Sequence, residues 1–470
     1  MMRVAVIGAG WAGCAAAVEA ARLGHAVTLF EAGRIAGGRA RRIASANASQ
    51  PILDNGQHIL IGAYTETLQL LQTVGIDPGA ALLRLPLNLQ FPDGDGLQLP
   101  LSWPAPLDAL LGILGASGAG WGWLDKLSLL KTAARWQLQR FTCSPHATVA
   151  DLCQGLRPGP MQQLIEPLCV SALNTPANRA SGSVFLRVLR DSLFAGKGGS
   201  NLLLPQVDLS ALLPDAAIAL LTTHGHDVQL GVRVQALAWN GSSWLITKAS
   251  NTDLSNGQKT QGEIASNSNQ FDQIILACPP LEAARLVVDV YKKIPADSAS
   301  VVPATHGGYA PIAAWQQQAR SLQYEAITTV YVQTQPAVQL AQPMLALRSG
   351  VDDPAQFVFD RGQLHGPPGL LAFVISASNP DATAAELSNQ VLRQARKQLA
   401  TQITGQKTQL QAIQTVVEKR ATFACTPGLV RPAMHIAPGL LACGDYVCGP
   451  YPATLEGAVR SGLAAAREIG

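Results

Sequence analysis

Charged side chains are scarce in this sequence: they make up 14% of its 470 residues, against about 25% in a typical soluble protein. The 34 basic and 31 acidic residues leave a net charge of +3, which is too small to favour nucleic acid as a partner. Apolar residues reach 48%. A chain with so little charge has either a large buried core or a surface that meets an apolar partner.

Paired cysteines and long apolar runs are also missing. The eight cysteines form no Cys-x-x-Cys pair and, with the histidines, no set spaced for zinc, so we expect reduced thiols, a cytoplasmic protein and no metal. No apolar run reaches the roughly 18–20 residues of a membrane span, and a strand pattern begins at Arg3, so we expect no signal peptide. The tryptophan-containing apolar segment 97–124 is a candidate for contact with the inner face of a membrane, or for a buried helix.

Residues 3–32 predict a strand, a glycine turn, a helix and a second strand, which is the βαβ unit of a dinucleotide-binding domain. The turn has the spacing GxGxxG: Gly8 permits the turn, Gly10 lets a pyrophosphate approach the backbone, and Gly13 lets the helix pack on the strand. The helix N-terminus then offers N–H groups to the phosphates. Glu31 ends the second strand, where a carboxylate accepts hydrogen bonds from ribose hydroxyls and disfavours the 2′-phosphate of NADP.

A second pair of glycines, Gly37 and Gly38, precedes Arg39 shortly after this unit. Glycine again allows close approach to the backbone, and an arginine side chain matches the geometry of a phosphate. By itself such a loop is more often a solvated basic loop. Placed just after a complete dinucleotide motif, it indicates FAD.

These motifs, together with three later ones, resemble those of the flavin-containing amine oxidase and phytoene desaturase superfamily. The later motifs are a D-x-G-type loop at Asp54–His58, the strand and proline segment DQIILACPP at 272–280, and a C-terminal pair formed by Gly444-Asp445 and EGAVRSG at 456–462. The resemblance spans the whole chain. Further segments at 53–68, 167–176, 421–433 and 452–462 are similar to the branch of this superfamily that acts on a linear hydroxylated triterpene.

The resemblance implies an α/β fold of two domains. A Rossmann-like FAD-binding domain would be discontinuous, assembled from residues 1–70, 200–290 and 416–470. A substrate-binding domain of α+β type, with mixed sheet and helices, would contain residues 71–199 and 291–415. FAD would be bound non-covalently, because no cysteine stands in an obvious position for a covalent bond to flavin.

The resemblance also implies which residues contact the cofactor. The D-x-G-type loop would lie along the flavin, which would give its polar groups a partner; left buried and unpaired, each would cost about 1–3 kcal/mol. Val234 would hold the adenine through its backbone, Asp445 would lie near the ribityl or phosphate groups, and the N-terminus of the last helix would face the flavin C2 carbonyl. The predicted cofactor-binding residues are Gly8, Gly10, Trp11, Ala12, Gly13, Glu31, Gly38, Arg39, Gly56, Gln57, His58, Val234, Gly444, Asp445, Thr454 and Leu455.

The reaction implied by the triterpene-acting branch is reductive removal of an allylic hydroxyl from an apolar isoprenoid, with electrons from an unnamed donor. Loss of that hydroxyl needs a proton, and His58 and Tyr451, in loops expected near the flavin, are the candidate proton donors. Asn174 is a further polar candidate. Three alternatives stay open: an oxidative carotenoid- or phytoene-type desaturase, a flavin amine oxidase, and a flavoprotein without catalytic activity.

Overall fold

The computed structural model describes residues 1–43, 51–98, 121–194, 198–249, 269–293, 312–403 and 408–469. Most of the predicted membrane-contact segment, residues 99–120, lies outside these ranges. Within them, no helix has both the length and the apolar content needed to cross a bilayer.

The strands belong to five sheets. They are β1 (Arg3–Ile7), β2 (Ala26–Glu31), β3 (Leu60–Ile61), β4 (Leu82–Leu85), β5 (Asn88–Gln90), β6 (Gly96–Gln98), β7 (Leu202–Pro205), β8 (Asp227–Leu230), β9 (Val234–Trp239), β10 (Trp244–Lys248), β11 (Gln270–Phe271), β12 (Gln273–Leu276), β13 (Tyr324–Gln335), β14 (Met344–Ala346), β15 (Phe357–Asp360), β16 (Leu370–Ser378), β17 (Gln409–Phe423), β18 (His435–Ala437) and β19 (Leu440–Ala442).

The helices lie between and around these strands. They are α1 (Trp11–Arg22), α2 (Thr65–Thr73), α3 (Pro78–Ala81), α4 (Trp123–Leu138), α5 (Val149–Leu152), α6 (Pro158–Pro160), α7 (Glu166–Leu173), α8 (Gly182–Leu189), α9 (Leu209–Leu212), α10 (Pro214–Thr223), α11 (Pro280–Lys293), α12 (Ile312–Ser321), α13 (Ala384–Gln398) and α14 (Leu455–Arg467). Two π-helical turns, Met161–Ile165 and Arg190–Phe194, and a 3₁₀ turn, Arg361–Leu364, complete them.

The sheet that contains the predicted dinucleotide-binding unit has six strands in the order β18–β19–β12–β1–β2–β8. β1 pairs in parallel with β2 and β12, and β8 and β19 extend the parallel arrangement on either side. Its strands come from the first 31 residues, from the middle of the chain and from its C-terminal part. This sheet, parallel except for its edge strand β18, has helices packed on it and lies beside a second, antiparallel sheet, which confirms the predicted α/β fold class.

Close packing around the first glycine turn explains why β1 is followed by glycines. Gly8 has φ +110°, and a Cβ there would lie 2.8 Å from the Ala277 carbonyl oxygen. A Cβ at Gly13 would lie 1.8 Å from the Gly8 carbonyl oxygen. Helix α14 packs just as closely, since a Cβ at Gly462 would lie 2.2 Å from the Ala12 carbonyl oxygen. Any side chain at these three positions would push α1 away from the sheet or from α14.

A five-stranded antiparallel sheet, β14–β15–β16–β13–β17, forms the other large layer. Its residues alternate between two faces: Val330, Val358 and Phe373 pack against α13, whereas Phe357 and Phe359 belong to the main core and face a cavity. β17 pairs with β13 on both sides of residue 416. The predicted domain boundary at 416 therefore falls inside a strand, and the division into domains stays a prediction.

Candidate functional site

A cavity of about 870 Å³ is lined both by the glycine motifs and by apolar side chains of the five-stranded sheet. This volume is within the usual range of about 300–1,000 Å³ for small-molecule sites. We call the part around residues 8–12, Glu31 and Gly38 the nucleotide end. We call the other part the apolar chamber; it is lined by Leu87, Leu89, Phe185, Ile327, Met344, Phe357, Phe359 and Val374.

The nucleotide end contains a cradle of bare backbone. A Cβ at Gly38 would lie 3.3 Å from the Gly10 Cα, and a Cβ at Gly10 would lie 3.9 Å from the Gly38 Cα. Gly10 is also the N-cap of α1 and offers no side chain to the first-turn N–H groups. A side chain at either glycine would fill this space. The cradle therefore fits an anion, such as a pyrophosphate, bound at the helix N-terminus.

Glu31 is held rigidly beside this cradle. One carboxylate oxygen accepts a hydrogen bond from the Ala9 N–H at 2.8 Å, and the other accepts one from the Gly33 N–H at 2.7 Å. Each oxygen keeps a further lone pair, so the carboxylate can still accept hydrogen bonds from ribose hydroxyls. Val234, at the start of β9, lines the same region.

Arg39 joins the N-terminal and C-terminal motifs. Its guanidinium lies 2.6 Å from a carboxylate oxygen of Asp445 and donates another hydrogen bond, also of 2.6 Å, to the Ala421 carbonyl. Burial opposes the charge of Arg39, but the Asp445 carboxylate outweighs it and raises the arginine pKa. Both side chains line the cavity, so the arginine is fixed in its wall by its carboxylate partner.

Asp54 orders the D-x-G-type loop from within the core. Its side chain is buried, and one carboxylate oxygen accepts a hydrogen bond from the Leu209 N–H at 2.9 Å. Its backbone carbonyl accepts one from the Tyr331 hydroxyl at 3.0 Å. Burial raises the pKa of Asp54 to about 6. The protein itself thus satisfies the first polar residue of the loop.

The next residues of the loop face the cavity. Gly56 has φ +94°, and Gln57 accepts a hydrogen bond of 3.0 Å from the buried Arg361 guanidinium. His58 Nδ1 lies 3.1 Å from the Gly56 carbonyl oxygen, and burial lowers the histidine pKa. This contact assigns the proton to Nδ1, which leaves Nε2 as a hydrogen-bond acceptor in the neutral ring.

The N-terminus of α14 closes the cavity from the C-terminal side. Thr454 is its N-cap and accepts a hydrogen bond from the Gly457 N–H at 2.9 Å, while Leu455 begins the helix. Nearby, the Tyr446 hydroxyl is buried and has no hydrogen-bond partner among the described residues. Tyr446 also lines the cavity. A polar group bound at the start of α14 would find free helix N–H groups there.

Tyr451 belongs to a charged cluster in the cavity wall. Its hydroxyl donates a hydrogen bond of 2.8 Å to Asp191, which also pairs with Arg187 at 2.5 Å and Arg190 at 2.9 Å. The Arg187 and Arg460 guanidiniums lie 5.5 and 5.0 Å from the Tyr451 ring centroid. Burial and the Asp191 carboxylate raise the tyrosine pKa. For Asp191, burial opposes ionisation, but hydrogen bonds from Arg187, Arg190 and Tyr451 outweigh it and lower the pKa.

The structure brings together every predicted site residue except one. All predicted cofactor-binding residues line the cavity apart from Gly13, which packs behind it as its predicted role requires, and Tyr451 lines it too. Asn174 lines the cavity as well, but its amide is engaged: the oxygen accepts a hydrogen bond from the Ala377 N–H at 2.6 Å and the nitrogen donates one to Thr422 at 2.9 Å. It holds the end of α7.

Sequence reasoning missed Asp191 and Arg361. Arg187 and Asp191 stand four residues apart on a helical segment, a spacing that predicts a surface ion pair but not a link to Tyr451. Asp191 lies in a π-helical turn, and such turns are frequent at functional sites, but a π-helical turn is not visible in the residue pattern. No local signal connects Arg361 with Gln57.

Comparisons with known proteins agree with this geometry. The model of the flavin containing amine oxidoreductase family matches residues 11–470. Two curated proteins named hydroxysqualene dehydroxylase are similar over 98% of this chain and 97% of their own length: that of Rhodopseudomonas palustris is 28% identical and that of Sinorhizobium fredii 26%. The zeta-carotene desaturase of Synechocystis is 38% identical, but over only 16% of this chain and 15% of its own length.

Solved structures share the fold. An oxidoreductase from Methanosarcina mazei is similar over 99% of this chain and all of its own, with a TM-score of 0.67 and 14% identity. A reduced UDP-galactopyranose mutase is similar over the whole of this chain and 95% of its own, with a TM-score of 0.66 and 14% identity. At such low identity these likenesses support the architecture alone.

Proposed function

Because this chain belongs to the flavin containing amine oxidoreductase family and is therefore a flavin-dependent oxidoreductase, we propose that it uses FAD to remove the allylic hydroxyl group of hydroxysqualene and form squalene, a step in triterpene and hopanoid biosynthesis. The observation that carries the proposal is the cavity itself, in which a dinucleotide cradle opens into an apolar chamber. The names of the full-length relatives support the reductive direction.

FAD fits the nucleotide end in its charges and its shape. The cradle at Gly10 and Gly38 suits the pyrophosphate, and Glu31 suits the ribose hydroxyls. Arg39 and Asp445 suit the adjoining phosphate or ribityl groups. Cys278 is the one cysteine among the described lining residues, and burial raises its pKa to about 12. A thiol held in its protonated form is a poor nucleophile, which supports a non-covalent cofactor.

The apolar chamber suits a hydrocarbon chain. It is walled by leucine, phenylalanine and methionine side chains from several elements, and burying the substrate there contributes about 25 cal/mol for each Å² removed from water. The same walls exclude water from the reacting carbon. When bound in its reduced form, FAD supplies a hydride to that carbon, while the electrons come originally from an external donor.

Tyr451 is the proposed proton donor. The carbon–oxygen bond of the substrate breaks as a proton joins the hydroxyl oxygen, so that water leaves; one hydride and one proton together convert the alcohol to hydrocarbon and water. In the free protein the Tyr451 hydroxyl donates a hydrogen bond to Asp191. When the substrate binds, its hydroxyl oxygen accepts that hydrogen bond instead. Burial and Asp191 raise the tyrosine pKa, and the nearby Arg187 and Arg460 guanidiniums oppose that effect by stabilising the phenolate that results. His58, whose Nε2 is an acceptor, suits a hydrogen-bonding role better than proton donation.

The test mixes anaerobically reduced holoprotein with hydroxysqualene, follows flavin reoxidation and detects squalene by mass spectrometry. One squalene for each flavin reoxidised is the expected result. Reduced flavin that persists beside untouched substrate would contradict the proposal, and formation of new double bonds by the oxidised protein from polyene precursors would favour a desaturase.

A further inference from the structure

Helix α4 carries an apolar stripe that the rest of the described protein does not cover. Trp123, Leu124, Leu127 and Leu138 are 78%, 62%, 62% and 85% exposed. At 100° per residue these four positions fall within an arc of about 100°. They make up four of the ten strongly exposed large apolar side chains among the described residues. We call them the α4 stripe.

The opposite face of α4 anchors the helix to the protein core. Leu129 and Trp136 are 3% and 4% exposed, and the Trp136 ring packs edge-on against Phe185 with 6.4 Å between ring centroids. Phe185 in turn lines the apolar chamber. The helix itself, the Trp136 side chain and the Phe185 side chain therefore lie between the exposed stripe and the chamber.

Cations accompany the stripe. Lys131 lies on the same face of the helix and is exposed, and so is Arg140, just after the helix. Arg135 is also exposed, but its guanidinium donates a hydrogen bond to the Leu152 carbonyl. The one acidic side chain of α4, Asp125, is engaged at the other end of the helix by Arg157 at 2.8 Å and by the Gly122 N–H at 3.0 Å. Leucine and tryptophan bordered by lysine and arginine are typical of helices that lie in the interface of an anionic membrane.

We infer that the α4 stripe rests on the surface of an anionic lipid bilayer, in which the apolar substrate is dissolved. The choice of a lipid surface rests on the proposed function, because a C30 hydrocarbon alcohol partitions into bilayers. The charge of the flanking side chains selects an anionic surface, since each lysine or arginine near it contributes about 1 kcal/mol.

The test is co-sedimentation of the full-length holoprotein with vesicles, which needs no substrate and therefore separates this inference from the proposed reaction. Vesicles of phosphatidylglycerol with phosphatidylethanolamine are compared with vesicles of phosphatidylcholine. The variant Trp123→Ser/Leu127→Ser is compared with Val351→Ser, which removes an even more exposed apolar side chain (92%) far from α4 in the sequence. We expect the double variant to lose vesicle binding about tenfold or more, and Val351→Ser to bind as the unmodified protein does.

Activity with detergent-dispersed substrate is expected to stay within twofold in the double variant, because neither side chain lines the cavity. The inference is wrong if the unmodified protein binds neither kind of vesicle, or if the double variant binds as well as Val351→Ser. It is also wrong if light scattering finds a dimer that the double substitution converts to monomers, since a second copy of the chain would then cover the stripe.

Discussion

At the nucleotide end of the cavity the backbone provides most of the contacts: the glycine cradle, the N-terminus of α1 and the N–H groups that hold Glu31. The apolar chamber, by contrast, is bounded by side chains from β5, α8, β14, β15 and β16. A backbone site depends on a few positions that accept only glycine. A side-chain site depends on many positions, each of which accepts several residues of similar size. The two ends should therefore respond very differently to substitution.

The substitution Gly10→Val tests the nucleotide end most directly. Gly10 has φ −71°, which valine also adopts, so the fold should survive while the side chain fills the cradle. Two lost hydrogen bonds to a charged phosphate, at about 2 kcal/mol each, correspond to about 10³-fold weaker FAD binding. Titration of the apoprotein with FAD measures the effect. In Gly350→Val, where no atom lies within 4 Å of the added Cβ, affinity should not change; equal affinity in both variants would contradict the assigned cradle.

Tyr451→Phe tests the polar cluster in the chamber wall. It keeps the ring and its contacts with Arg187 and Arg460 but removes the hydroxyl group that donates a hydrogen bond to Asp191. Proton transfer by a positioned acid contributes about 10²- to 10⁴-fold, so we expect the single-turnover rate of flavin reoxidation to fall about 10²- to 10³-fold with FAD content unchanged. The control is Tyr324→Phe, another phenol in the cavity wall. A Tyr451→Phe rate within threefold of normal would rule out this proton donor.

Asp54 lies on the loop between the two ends, and its burial makes stability depend on pH. Because its pKa rises from 3.8 to about 6 on folding, the native state binds the proton more tightly than the unfolded state does. The contribution of Asp54 to stability is therefore largest below about pH 4 and is lost as the pH rises to about 6, by about 2–3 kcal/mol. Asp54→Asn should abolish this slope in denaturant unfolding at pH 4 to 7, whereas the exposed-site variant Asp381→Asn should keep it. An unchanged slope in Asp54→Asn would assign the effect to other groups.

Prediction from the sequence agrees with the structure in the placement of residues whose determinants are local. The positions of Gly8, Gly13 and Glu31 follow from spacing within some thirty residues, since a strand, a tight turn and a helix must meet there. The hydrogen bond between Tyr451 and Asp191 joins residues 260 apart, and that between Arg361 and Gln57 joins residues 304 apart. Such pairs depend on how distant elements pack, and no periodicity or motif in the chain encodes that geometry.

Phe357→Leu should have the smallest effect of these substitutions, and it measures how far the chamber tolerates a change in side-chain size. The side chain lines the cavity, and leucine keeps the wall apolar while it loses part of the contact with the hydrocarbon, so we expect KM to rise about two- to fivefold with kcat and FAD affinity unchanged. Phe373→Leu is the matched control, because Phe373 lies on the opposite face of the same sheet, against α13. It should lower the melting temperature and leave KM as it is. If both variants raise KM equally, the rise in KM comes from a weakened five-stranded sheet and not from lost contact between Phe357 and the substrate.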